Sequence, residues 1–153
     1  MNISFASSDN QVEVYDFVEV ATKVAEPHLE NPFTQTEFKG SIMRPGQTPV
    51  EVEGFCDAPD GSLYRIRFMP VQEGEYSYRV VLSLGEHEQT YEGTFRATSS
   101  TRKGLLRVDE SHPWHFLWQG TGEHYFWNGT TTYFLMGWDD DVIRASVDRL
   151  HRL

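Results

Sequence analysis

Three carboxylates stand in a row at Asp139, Asp140 and Asp141, and three of the six histidines, His112, His115 and His124, fall within a short span before them. Neither group reads as a reacting centre. The aspartates open the one convincing helical segment, Asp139 to Leu153, where carboxylates cap free N–H groups and complement the dipole, while Arg149, His151 and Arg152 do the reverse at the other end. His112 and His115 lie three apart beside Pro113 in a loop, with no acid or cysteine recognised at metal-ligand spacing, and His28, His87 and His151 are scattered, so no metal site is expected. Cys56 has no basic neighbourhood and reads as a small buried hydrophobe rather than a nucleophile. The triplet N-G-T at Asn128 to Thr130 matches a glycosylation acceptor but falls in an expected buried strand. There is no phosphate-binding glycine loop and no serine elbow, so no cofactor is expected.

The elements that must position these residues belong to a chain of 153 residues, enough for one domain, or one domain plus a fragment. Hydrophobic residues make up 39% and aromatics 14%, which supports a true core. A formal charge of −10 argues against nucleic acid and anionic lipid as partners, since binding either needs clustered Lys and Arg. No apolar run reaches the roughly twenty residues of a spanning helix. The N-terminus has neither a basic n-region nor an apolar h-region, so either export by that route is not used or a signal has been removed. One cysteine excludes an intramolecular disulfide.

From residue 10 to 100 the periodicity is that of strands. Runs at Gln11 to Val20, Phe33 to Met43, Pro49 to Phe55, Leu63 to Met69, Glu75 to Leu84 and Thr90 to Ala97 are separated by turn chemistry at Asn31-Pro32, Arg44 to Gly46, Asp57 to Gly61 and Gln72 to Gly74. In Y-R-I-R-F, Tyr64, Ile66 and Phe68 share one face and Arg65 and Arg67 the other. Six or seven such strands predict an all-β fold, an immunoglobulin-like antiparallel β-sandwich over 1–104.

The texture changes at S-S-T-R-K-G, Ser99 to Gly104, which suits a linker. Residues 105–153 then predict a hairpin, Trp114 to Trp118 against Glu123 to Trp127 across Q-G-T-G, followed by the helix. Ile143, Val147 and Leu150 form an apolar stripe that needs a partner layer. This arrangement suits the first βα unit of a larger α/β domain.

The run R-F-M-P-V-Q-E-G-E-Y-S-Y, Arg67 to Tyr78, with N-P-F at Asn31 to Phe33 and G-F-C-D at Gly54 to Asp57, resembles DUF5060, the β-sandwich domain preceding (β/α)8-barrel glycoside hydrolases in bacteria. H-Y-F-W-N-G-T-T-T-Y, His124 to Tyr133, is similar to the first barrel strand of the adjoining catalytic domain, of the apiosidase-like and clan-A type. The resemblance implies that Tyr125 to Asn128 form a buried parallel strand opening a truncated barrel, with Gly129 to Tyr133 at its active-site end. Tyr133 to Trp138 would be a short helical turn or more strand. Thr131, Tyr133 and Trp138 would line a sugar subsite, aromatic faces stacking on a pyranose and hydroxyls bonding its O–H groups.

Catalysis in such enzymes uses two carboxylates about 5 to 10 Å apart. The resemblance places that pair on later barrel strands, which this chain lacks, so no catalytic residue is expected in it. Two roles follow for the sandwich: an accessory module that steadies its own barrel domain, or a carbohydrate-binding module. Exposed aromatics in a row among Phe33, Phe38, Tyr64, Tyr76, Tyr78 and Tyr91 would mark the second; their alternation with polar residues favours the first. The C-terminal aromatics are expected to fold back on the sandwich, to pair with another copy, or to stay exposed as a self-associating patch.

Overall fold

A computed structural model of the protein describes residues 2–127, 129 and 131–152. The chain is built mainly of strands, with one α-helix near its end. Strands β1 (Asn2–Ser7), β3 (Val18–Ala25), β7 (Leu63–Phe68) and β6 (Phe55–Cys56) form a four-stranded sheet in the order β1-β3-β7-β6. Strands β2 (Gln11–Glu13), β9 (His87–Thr98), β8 (Gly74–Leu84), β4 (Thr36–Met43) and β5 (Val50–Glu53) form a five-stranded sheet in the order β2-β9-β8-β4-β5.

Alternation in the sequence sets which face of each sheet is apolar. In β3 the inward positions are Val18, Val20, Thr22 and Val24; in β7 they are Tyr64 and Ile66, with Arg65 and Arg67 outside. Tyr76, Tyr78, Val80, Leu82 and Leu84 all point inward from β8. Both sheets direct these residues into one core, completed by Phe38, Ile42 and Phe95. Each large side chain removed from water there contributes roughly 1.5–3 kcal/mol. The aromatics interlock, with Tyr76 stacked on Phe95 at 5.0 Å and Phe5 on Tyr91 at 5.2 Å between ring centroids. Buried phenols need partners: Tyr76 donates to the carbonyl of Gln72 at 2.9 Å, and the Tyr64 hydroxyl lies 3.1 Å from that of Thr36.

The corner expected at Pro70 to Tyr78 is present. Pro70, buried, follows β7; Gly74 begins β8 at φ 136°, a conformation L side chains rarely adopt; Tyr76 and Tyr78 share the inward face.

Three readings need correction. Gln11 to Val20 is not one strand: the backbone turns at Tyr15, φ 65°, and the two halves join different sheets. The short β2 runs parallel to β9, so the pairing is not wholly antiparallel. Asn2–Ser7 is an additional edge strand, paired along its length with β3 and turning Ile3 and Phe5 toward the core.

Beyond Gly104 a small third sheet joins β10 (Leu106–Val108), β11 (Phe116–Trp118) and β12 (His124–Tyr125), all antiparallel. The expected hairpin is there, closed by the amide of Gly122 donating to the Trp118 carbonyl at 2.7 Å. β12 is therefore a hairpin strand, and Phe126 and Trp127 beyond it are exposed instead of buried in a parallel strand. Asn128, the last residue of that expected strand, and the N-G-T triplet at Asn128 and Thr130 lie outside the described residues. A 3-10 turn at Leu135–Gly137 realises the helical turn among the alternatives for Tyr133 to Trp138.

Helix α1 (Asp140–Leu150) starts where the aspartates predict, with Asp139 at the N-cap and Asp140 and Asp141 in the first turn. The Asp139 side chain makes no capping hydrogen bond, so the contribution of these acids is electrostatic. No residue of α1 is buried: Val147 is 51% and Leu150 43% exposed.

Candidate functional site

Two features of residues 105–152 could act on another molecule. The first is a cluster of one acid and three imidazoles on the small sheet. Asp109 follows β10 directly, and its amide donates to the carbonyl of His115 at 3.0 Å, which turns the intervening loop back on itself. That turn sets His112 and His115 beside Asp109, and the hairpin register, Leu117 opposite His124, brings in the third ring. Asp109 Oδ2 lies 2.8 Å from His124 Nε2 and 3.2 Å from His112 Nδ1. The His115 ring centroid is 6.0 Å from that of His112 and 5.9 Å from that of His124.

Asp109 is the one buried acid of this region, 6% exposed, while the His112 and His124 side chains are largely open to solvent. The hydrogen bond from His124, with further ones from the Ser111 amide and from His112, outweighs burial and lowers the Asp109 carboxyl from 3.8 to about 2. It is an anion at any ordinary pH. The atoms of Asp109, His112 and His124 lie within 4.8 Å of one another, a spacing that could hold a metal ion. Sequence reasoning missed this group. The signal was present as D-x-x-H-x-x-H at Asp109, His112 and His115, but the contribution of His124 depends on hairpin register.

The second feature is the apolar segment between β12 and α1. Phe126, Trp127, Phe134 and Met136 are 84%, 70%, 84% and 93% exposed. The three subsite residues expected from the sequence fall here: Thr131 in irregular chain, Tyr133 in the turn before the 3-10 segment, and Trp138 immediately after it. All three are exposed, and no described contact brings them together around a cavity.

Within the sheets, the aromatic residues are mostly interior. Phe38, Tyr64, Tyr76 and Tyr78 are buried, Tyr91 is half-buried, and Phe33 alone of the six is exposed. A row that the sequence did not mark crosses the outer face of the four-stranded sheet: the Arg67 guanidinium lies 5.1 Å from the ring centre of Phe17 and 5.4 Å from that of Phe55. Arg67 and Arg65 also hold Glu19, and Arg65 holds Asp57. These ring faces are thus occupied by the protein's own cation.

Residues 11–83 match the family model described as DUF5060, a domain of unknown function. The resemblance carried by Arg67 to Tyr78 is borne out over that stretch. A solved structure from Bacteroides vulgatus ATCC 8482, described as a "putative glycoside hydrolase", is similar to this chain with a TM-score of 0.74 and 28% identity, covering 92% of this chain and 26% of its own. This chain therefore spans about a quarter of that protein's length. A conjugative transposon lipoprotein from Bacteroides eggerthii DSM 20697 overlaps at a TM-score of 0.39 and 12% identity, covering 61% of this chain and 93% of its own, a likeness too slight to carry an argument. No curated protein matches the chain.

Proposed function

We propose that this chain is the non-catalytic, N-terminal accessory part of a bacterial glycoside hydrolase acting on poly- or oligosaccharides. In this reading residues 1–104 form an immunoglobulin-like sandwich that packs against a (β/α)8 catalytic barrel and steadies it. Residues 105–153 carry the hairpin and lead into that barrel, with α1 as its first helix. The observation that carries the reading is the set of exposed apolar side chains Phe126, Trp127, Phe134 and Met136 with Val147 and Leu150 on α1, in a chain that matches a quarter of a much longer glycoside-hydrolase-like structure. A surface of that kind is normally covered by a partner. The occupant is the rest of the same polypeptide, whose strands and helices give the Val147 and Leu150 stripe its missing layer. Thr131, Tyr133 and Trp138 would then stand at the active-site end of the barrel and contact sugar.

The acids support a non-catalytic role. Asp139 to Asp141 serve a helix N-terminus, and Asp109 is engaged by two histidines. The same interior placement of Phe38, Tyr64, Tyr76 and Tyr78 favours the accessory role over a carbohydrate-binding module. The Phe17 to Phe55 row does not reverse this, because Arg67 lies over both rings.

Titration of the purified 153-residue chain with a panel of polysaccharides and oligosaccharides, alongside hydrolysis assays on the same panel, tests this. The expected result is neither hydrolysis nor saturable binding. Specific millimolar or tighter affinity would instead establish a carbohydrate-binding module, and hydrolysis would establish an enzyme in its own right.

A further inference from the structure

We propose that Asp109, His112 and His124 bind one divalent transition-metal ion of the zinc class, with His115 flanking the site, and that the ion staples the three-stranded sheet β10-β11-β12.

The donor set fits such an ion. Two imidazole nitrogens and a carboxylate oxygen are the ligands that borderline divalent ions take, and three protein ligands leave one position for water or for His115. Metal–ligand bonds of about 2.0–2.2 Å put tetrahedral ligands about 3.3 Å apart. Asp109 Oδ2 already stands 3.2 Å from His112 Nδ1 and 2.8 Å from His124 Nε2. The Asp109–His124 edge must lengthen by about half an ångström, the three ligand atoms already lie within 4.8 Å of one another, and the His124 side chain is 59% exposed. The ring centroids of His112, His115 and His124 are mutually 5.9 to 6.2 Å apart, so His115 borders the pair that offers ligand atoms.

The sheet has a need that an ion would meet. Its strands have 3, 3 and 2 residues, and among described residues 105–127 only Asp109 is buried. Small units lacking a hydrocarbon core are commonly held by a metal or another cross-link. The three ligands come from the residue after β10, the loop that follows and β12, so one ion would tie the two outer strands of the sheet to that loop. The inference does not depend on the glycoside hydrolase reading.

Untagged protein is titrated with Zn2+ by calorimetry, and ring 15N shifts are followed in parallel. We expect one ion per chain, shifts at His112 Nδ1 and His124 Nε2, and a higher melting temperature with Zn2+. His112→Gln and His124→Gln each weaken binding at least about ten-fold. His28→Gln and His87→Gln leave it unchanged. Both ligand histidines are exposed, and the ring shifts of the unaltered protein decide the matter independently of how any variant folds. No binding heat, or shifts confined to other histidines, would overturn the proposal and leave Asp109 as a plain hydrogen-bonded anchor. Undiminished affinity in both ligand variants would overturn it equally.

Discussion

Tyr15 closes over Gly120. A Cβ built on Gly120 would stand 2.9 Å from Tyr15 Cε2 and 2.3 Å from the carbonyl oxygen of Arg102. Tyr15 is also the residue at which the chain crosses from one large sheet to the other, and Arg102 is tied to its neighbour Asp16 at 2.6 Å. The small sheet is therefore joined to the larger two through a contact that only a residue without a side chain permits.

Gly120→Ala is expected to lower the melting temperature by several degrees, because the nearest atom is backbone and cannot swing aside; overpacking of this kind costs about 1–3 kcal/mol. Gly122, two residues on, has φ 70° and open space around its Cα. Gly122→Asn should be nearly neutral, since Asn tolerates that conformation. Equal effects at the two positions, measured by thermal unfolding, would remove the joint from the account.

Thr22 sits fully buried in β3, and its hydroxyl has no hydrogen-bond partner among the described residues. Thr22→Val keeps the shape and removes the desolvated hydroxyl, so it should stabilise the fold by about 1 kcal/mol. Denaturant unfolding reads this directly. A destabilised variant would mean that the hydroxyl is satisfied in solution.

Glu19 gives the larger sheets a pH dependence. Burial raises its carboxyl, but hydrogen bonds and charge from Arg67 and Arg65 outweigh this and hold it below the ordinary value of 4.5. A carboxyl lowered in the folded state stabilises fully above its unfolded value, and that contribution fades as pH falls through the folded one. Unfolding free energy should thus drop as pH falls through and below 4.5, and Glu19→Gln should flatten the drop. Parallel pH profiles for both proteins would contradict it.

Strand periodicity was legible where side chains alternate strictly, as at Tyr64 to Phe68, because period two reports burial directly. The break at Tyr15 was not, since a left-handed residue there is a tyrosine and the sequence carries no glycine to announce it. Asp139 to Asp141 marked the helix start to within a residue, yet whether the first aspartate caps depends on a rotamer. The cluster at Asp109 shows the same limit for chemistry: three of its members are spaced in sequence, but His124 arrives only through the register of a hairpin.

The central claim is that Phe126, Trp127, Phe134, Met136 and α1 are covered by further parts of the same polypeptide. Hydrogen exchange of residues 124–152, compared between this chain and the complete gene product, tests it most directly. The account predicts a gene product that continues into further βα units and a marked slowing of exchange along α1 within it. A gene product no longer than this chain, or exchange along α1 equally fast in both, would contradict it.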